Sequence, residues 1–167
     1  MKLRLPAGSL KSLREAVDNG ADAVYTGLST PTNARSFPGL NFTPEDLARG
    51  VAYAHERGKE VYATSNVHPQ LNLEQSLQAV DDIAAAGADA LIATDIAVLD
   101  YASSRHPNLR RHLSVIASAS SARAINFHRD EFGISCAVLP RVISVDDIRA
   151  IRAGTDVELE VFAFGVL

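Results

Sequence analysis

"NGADAVYTG" (Asn19 to Gly27) and "AGADALIAT" (Ala86 to Thr94) decide the fold. Each stops a helix on a glycine (Gly20, Gly87), continues through Ala-Asp and runs into an apolar strand. That is the corner at which a helix turns back into a sheet, and its recurrence marks a repeated αβ unit. Gly20, Asp22, Gly87 and Asp89 therefore read as structural. They belong to the face opposite the one that carries chemistry in parallel α/β folds.

Working outward, apolar runs at 3–5, 23–26, 60–66, 90–94, 112–117, 137–139 and 157–163 read as strands. Helical segments with clear punctuation lie between them. Ser9 to Gly20, Asn72 to Gly87 and Ser144 to Gly154 each pair an N-cap residue with a terminal glycine. Thr43 precedes Pro44 and first-turn acids in a helix that stops at Gly58. The total is seven parallel strands and six helices. A dinucleotide-binding sheet would show a glycine-rich loop after its first strand, and "PAGSLKSLREA" has one glycine. The expectation is an α/β chain of one domain, residues 1–167, forming an incomplete TIM-type (β/α) barrel. A complete barrel has eight strands in about 250 residues. An unclosed one exposes two strand edges that invite pairing with another chain or with a second copy.

Hydrophobic residues make up 47% of the chain and charged ones 22%, enough for a sizeable core. The net charge of −4 argues against a phosphate-neutralising face, so a nucleic-acid partner is not expected. Arg105, Arg110 and Arg111 read as a solvated helix end and loop. The single cysteine, Cys136, excludes an internal disulfide and reads as a small core residue. No secretory signal and no membrane-length apolar window is visible, which points to a soluble, cytoplasmic protein.

In such folds the loops after the strands carry function. The second strand opens a loop of about 15 residues, "LSTPTNARSFPGLNF", where two to six is usual. Its Arg35 suits a carboxylate or phosphate ligand. Asn33 and Asn41 either join it or hold the loop's own turns. Further strand ends offer Asn66 and His68, Thr94 and Asp95, Ser118, and Arg141. His68 precedes Pro69 and is either an acid/base group or an exposed loop histidine. Asp95 reads as an N-cap at the mouth, and Ser118 as part of a turn. Ser118, His68 and Asp95 form a triad only on paper, because no nucleophile elbow is present. None of His55, His106 and His128 has metal-ligand spacing, so no metal site is expected. Glu158 and Glu160 share one strand face. If that face is the barrel interior, Glu160 needs a partner, and Arg141 is the expected one; otherwise it lies at the rim of the helix-facing side.

"LPAGSLKSLREAVDNGADAVYTGL" (5–28), "NARSFPGLNFTPEDL" (33–47), "HLSVIASASSARAINF" (112–127), "VLPRVIS" (138–144) and "LEVFAFG" (159–165) together resemble the collagenase-like peptidases of unknown catalytic type. Within that family they are most similar to the UbiU-like branch. The resemblance implies a factor for oxygen-independent hydroxylation in ubiquinone biosynthesis, pairing with a UbiV-like paralogue and using a prephenate-like carboxylate as oxygen source. Related branches hydroxylate bases of ribosomal or transfer RNA. It also implies a 4Fe–4S cluster on four cysteines, the first of which follow the "VFAFG" strand in relatives. Here the sequence stops at Leu167, and Cys136 matches no cluster position. The expectation is a barrel portion without the cysteine-bearing, barrel-closing segment, with no cofactor of its own and inactive without the remainder. Ile116 stands where relatives have a polar glutamine. The alternatives are a cluster-free module that dimerises or binds a UbiV-like partner, and a collagenase-like peptidase.

Overall fold

The structure, a computed structural model, describes residues 1–69 and 72–164. Leu71, at the start of the third helical segment, and Gly165 to Leu167, where the sequence reading ended, lie outside the described residues. Strands β1 (Arg4–Pro6), β2 (Ala23–Gly27), β3 (Glu60–Ser65), β4 (Ala90–Ala93), β5 (Arg110–Leu113), β6 (Ile134–Val138) and β7 (Glu158–Glu160) alternate with six helices. These are α1 (Leu10–Asp18), α2 (Pro44–His55), α3 (Leu73–Ala85), α4 (Ile96–Arg105), α5 (Ala122–Phe132) and α6 (Val145–Ala153). The strands pair in chain order, all parallel, in a curled sheet with β1 and β7 at its edges. This is the incomplete (β/α) barrel that the alternation of elements dictates. Among the described residues no helix is long and apolar enough to cross a membrane.

Period-two alternation sorts the strand residues between two cores. Val24, Val61, Leu91, Leu113 and Ala137 face outward and pack under the helices with Leu13, Leu47, Ile83, Leu99 and Ile125. Ala23, Tyr25, Tyr62, Ala90 and Ile92 form a second, smaller cluster in the barrel interior. The corner acids serve the backbone: Asp22 accepts from the Leu3 N–H at 2.8 Å and Asp89 from the Val61 N–H at 2.7 Å. Both lie at the N-terminal ends of the strands, as the repeat required. Gly20 and Gly87 have φ of +99° and +79°, conformations that an L side chain resists.

Three elements differ from the sequence reading. The sixth strand runs over Ile134–Val138 in place of 137–139, so that Cys136 lies within it. The fifth strand is Arg110–Leu113, and the apolar run after it breaks into a single 3-10 turn over Val115–Ala117. Ser114 caps that turn, its side chain accepting from the Ile116 N–H. Arg110 and Arg111 are thus strand residues, not a solvated loop. The Arg110 side chain reaches Glu60 at 2.7 Å, and the Arg111 guanidinium donates to the carbonyls of Leu109 and of Phe132, at the end of α5. The seventh strand is only Glu158–Glu160, and Val161 and Phe162 leave the sheet.

Candidate functional site

The C-terminal ends of the strands surround a cavity of about 430 Å³. Pro6, Tyr25, Gly27, Thr64, Ile92 and Val138 line its wall, and the β2–α2 loop covers one side with Phe37 and Leu40. The wall is mostly apolar. Arg35 and Arg141 both line it, and neither makes an ion pair among the described residues. The Arg141 guanidinium lies over the Phe162 ring at 3.7 Å from the centroid, a cation–π contact that fixes its plane while leaving its N–H groups available.

The asparagines build the loop. Asn33 is buried; its Oδ1 accepts from the Thr64 hydroxyl at 3.1 Å and the Arg35 N–H at 3.1 Å, and its Nδ2 donates to Asn41 Oδ1 at 3.1 Å. Asn41, at φ +78°, donates to the Arg35 carbonyl at 2.9 Å. Asn66 Oδ1 accepts from the Ala34 N–H at 3.0 Å. All three sit at the cavity, yet Asn33 and Asn41 are engaged in holding Arg35's backbone, and Asn66 Oδ1 in holding the neighbouring Ala34. Gly27 makes the arrangement possible, because a Cβ there would fall 2.2 Å from Asn33 Nδ2.

Three other candidates stay outside. His68 meets Asp95 at 3.4 Å on the exposed side of the mouth, and Asp95 caps α4 through the Ala97 N–H. The Ser118 hydroxyl turns to the Ile116 carbonyl, and Ser118 itself is left-handed at φ +53°. Neither His68 nor Ser118 lines the cavity. The paper triad is not assembled.

Glu160 does face inward, but its partner is not Arg141. Arg4 of β1 reaches across from the other edge of the sheet, donating to Glu160, to Glu158 at 2.6 Å and to Cys136 Sγ at 3.2 Å. Arg141 lies in the turn beyond the end of β6, past Val138, the residue that pairs with Glu160, and stacks on Phe162 instead. Below the cavity the interior is an ion network. Glu60 binds Lys2, Arg110 and the Tyr62 hydroxyl, and Tyr62 lies edge-on to His112 at 4.7 Å. Burial alone would raise the Glu60 carboxyl, but its hydrogen bonds and the Arg110 charge bring it down to about 2. Burial, reinforced by Arg4 and Arg110, pushes His112 down to about 3.

The sequence reading missed Arg4, Tyr25, Tyr62, His112 and Phe162. A signal existed for the first four, which all fall on the inward parity of their strands; a charged or hydrogen-bonding residue at such a position announces an interior network. The 4Fe–4S cluster does not fit these residues. It needs several thiolate ligands, and the chain has one cysteine, enclosed in the interior beside Arg4.

Residues 8–167 match the profile of peptidase family U32. The chain belongs to peptidase family U32. It is 35% identical to tRNA hydroxylation protein P1 of Bacillus subtilis, over 99% of this chain and 39% of that protein. It is 31% identical to the 23S rRNA 5-hydroxycytidine C2501 synthase of Escherichia coli, over 100% of this chain and 25% of the relative. The chain thus spans well under half the length of these two relatives. A solved U32 peptidase superposes with a TM-score of 0.75 at 18% identity, over 96% of this chain and 68% of that one, a likeness of fold.

Proposed function

We propose that this U32 chain is the barrel portion of an oxygen-independent hydroxylation factor whose mouth cavity binds a small carboxylate of prephenate type. The observation that carries the reading is the pairing of Arg35 and Arg141, two guanidinium groups without ion-pair partners among the described residues, on a mostly apolar cavity of about 430 Å³ whose one lining carboxylate among the described residues, Glu160, is held by Arg4. A carboxylate would be met by a planar fork of N–H donors, and the ring it carries by Tyr25, Ile92 and Phe37. The chain's part is to bind and orient. Arg35 is held by the asparagine clamp, Arg141 by Phe162, and the apolar wall excludes water from the ring. A four-iron cluster would supply electron transfer in the whole protein, and it would be carried by residues other than these or by a UbiV-like partner.

The finer reading is the UbiU-like one, with a ubiquinone precursor as acceptor, and the chain's acidity supports it over a nucleic acid. The names of the two relatives favour a second acceptor, a base of RNA. Deleting the native gene and growing cells without dioxygen separates them. Loss of ubiquinone supports the first acceptor and loss of a hydroxylated nucleoside the second; if neither changes, the hydroxylation reading fails. For the cavity, titration calorimetry of the chain with prephenate is expected to show binding that Arg35→Gln and Arg141→Gln each weaken by roughly tenfold or more, the range of a charge-assisted hydrogen bond. Binding indifferent to both substitutions would refute the assignment. Gelatin hydrolysis is expected to be absent, since no nucleophile–base pair lines the cavity among the described residues.

A further inference from the structure

Beneath the cavity, donor atoms from three strands converge. A ring nitrogen of His112 (β5), Sγ of Cys136 (β6) and a carboxylate oxygen of Glu160 (β7) lie within 4.8 Å of one another. They are far apart in sequence, and the barrel register makes them neighbours, His112 pairing with Cys136 directly. Independently of that convergence, His112 is 1% exposed and its Nδ1 is buried with no hydrogen-bond partner. A buried polar atom left unsatisfied is costly and needs a reason.

We propose that His112, Cys136 and Glu160 form a binding site for a single divalent transition-metal ion of zinc type. Imidazole, thiolate and carboxylate are the donors such ions select, and three protein ligands leave a fourth position for water or a bound ligand. Glu160 also lines the mouth cavity, so the site borders it. The site needs only the one cysteine that the chain has.

Arg4 is the competitor. Its guanidinium now holds Cys136 Sγ and Glu160, so a metal ion must displace it from both. Arg4 keeps an alternative, because its Nη2 is already on Glu158, the more exposed of the two glutamates. The site therefore takes one cation or the other. The charged and titratable groups around it are Lys2 and Arg4 at the start of the chain, Glu60 and Tyr62 from β3, Arg110 from β5, and Glu158 and Glu160 from β7. Within that set His112 is neutral at ordinary pH, the form that ligates. Burial pushes the Cys136 thiol up to about 11, against the pull of Arg4. Binding consequently releases the thiol proton: M²⁺ and the protonated cysteine give the metal thiolate and one H⁺.

The test is titration of the reduced full chain with Co²⁺, followed by absorption. One equivalent is expected to produce a thiolate-to-cobalt charge-transfer band with tetrahedral ligand-field bands, and Zn²⁺ is expected to erase both. Cys136→Ser should abolish the charge-transfer band while circular dichroism stays native. Arg4→Gln should tighten Co²⁺ binding by roughly tenfold or more by removing the competing cation. The wild-type titration is decisive whether or not the variants fold. Absorption without a charge-transfer band, which reports surface carboxylates and histidines, overturns the proposal, as does a band that persists in Cys136→Ser.

Discussion

His112 is the residue whose environment has the clearest consequence for stability. It is enclosed by Tyr62, Arg4 and Arg110, and burial together with those two charges holds its pKa at about 3 against an ordinary 6.5. Between these values the unfolded chain binds a proton that the folded one refuses, so stability falls as the pH drops from 6.5 towards 3 and is fully present above 6.5. The slope is about 1.4 kcal/mol per pH unit for one such group. Glu60 acts lower down. Its carboxyl, at about 2 against 4.5, adds stability that is present above 4.5 and lost as the pH falls towards 2. Of the two groups, then, only His112 gives a slope between 6.5 and 4.5. Urea unfolding in chelator-treated buffer should show that slope in the wild type, and His112→Phe, which keeps a ring against Tyr62, should flatten it. A slope unchanged in the variant would mean that another group carries it.

At the scale of the element, the β2–α2 loop is held by one amide network and one unusual backbone angle, and the two are separable at Asn41. A left-handed φ of +78° strains any side chain, asparagine and glycine least. Asn41→Gly relieves the angle and loses the bonds to Asn33 and Arg35; Asn41→Ala loses the bonds and keeps the strain. Alanine should therefore destabilise by about 1 kcal/mol more than glycine in thermal unfolding. Both should weaken carboxylate binding alike, because both release Arg35. Equal stabilities would show that the angle relaxes when the amide is gone. The loop's existence was legible from its length and its Asn–Arg content, and the helices from their caps: Ser9, Thr43 and Ser144 accept from first-turn N–H groups, as their positions imply, whereas the Asn72 side chain makes no such bond. The fifth strand was legible as a strand, but its bounds, Arg110–Leu113, were not. Paired arginines look solvated in one dimension, and only the closed register shows Arg110 turned towards Glu60 and Arg111 spent on helix-end carbonyls. The cavity arginines were found because charge at a strand's C-terminal end has few structural uses. Arg4 was missed because its partners are more than 130 residues away.

For the whole molecule, the question is what holds a seven-stranded parallel sheet in a curl when, among the described residues, its two edge strands do not pair through their backbones. The outer core bends it, since six helices on the convex face bury a continuous layer from Leu13 to Ile151. Inside, Arg4 ties the two edges together: it belongs to β1, its carboxylates to β7, and its guanidinium lies over the Tyr62 ring of β3 between them. Arg4 is almost fully buried, Glu160 mostly so, and Glu158 about half exposed, so the Glu160 arm carries most of the interaction. Removing one member of a buried pair leaves the other uncompensated, a loss of about 3–5 kcal/mol in enclosed sites. The partial exposure here reduces the expected cost of Arg4→Gln to about 2–3 kcal/mol. The argument is sharper as a cycle. If the loss comes from an orphaned carboxylate, Glu160→Gln in the Arg4→Gln background should recover part of it, and the coupling should exceed about 1 kcal/mol. If Arg4 serves only as packing on Tyr62, the two substitutions should add, and the edges must then be held by the outer core alone.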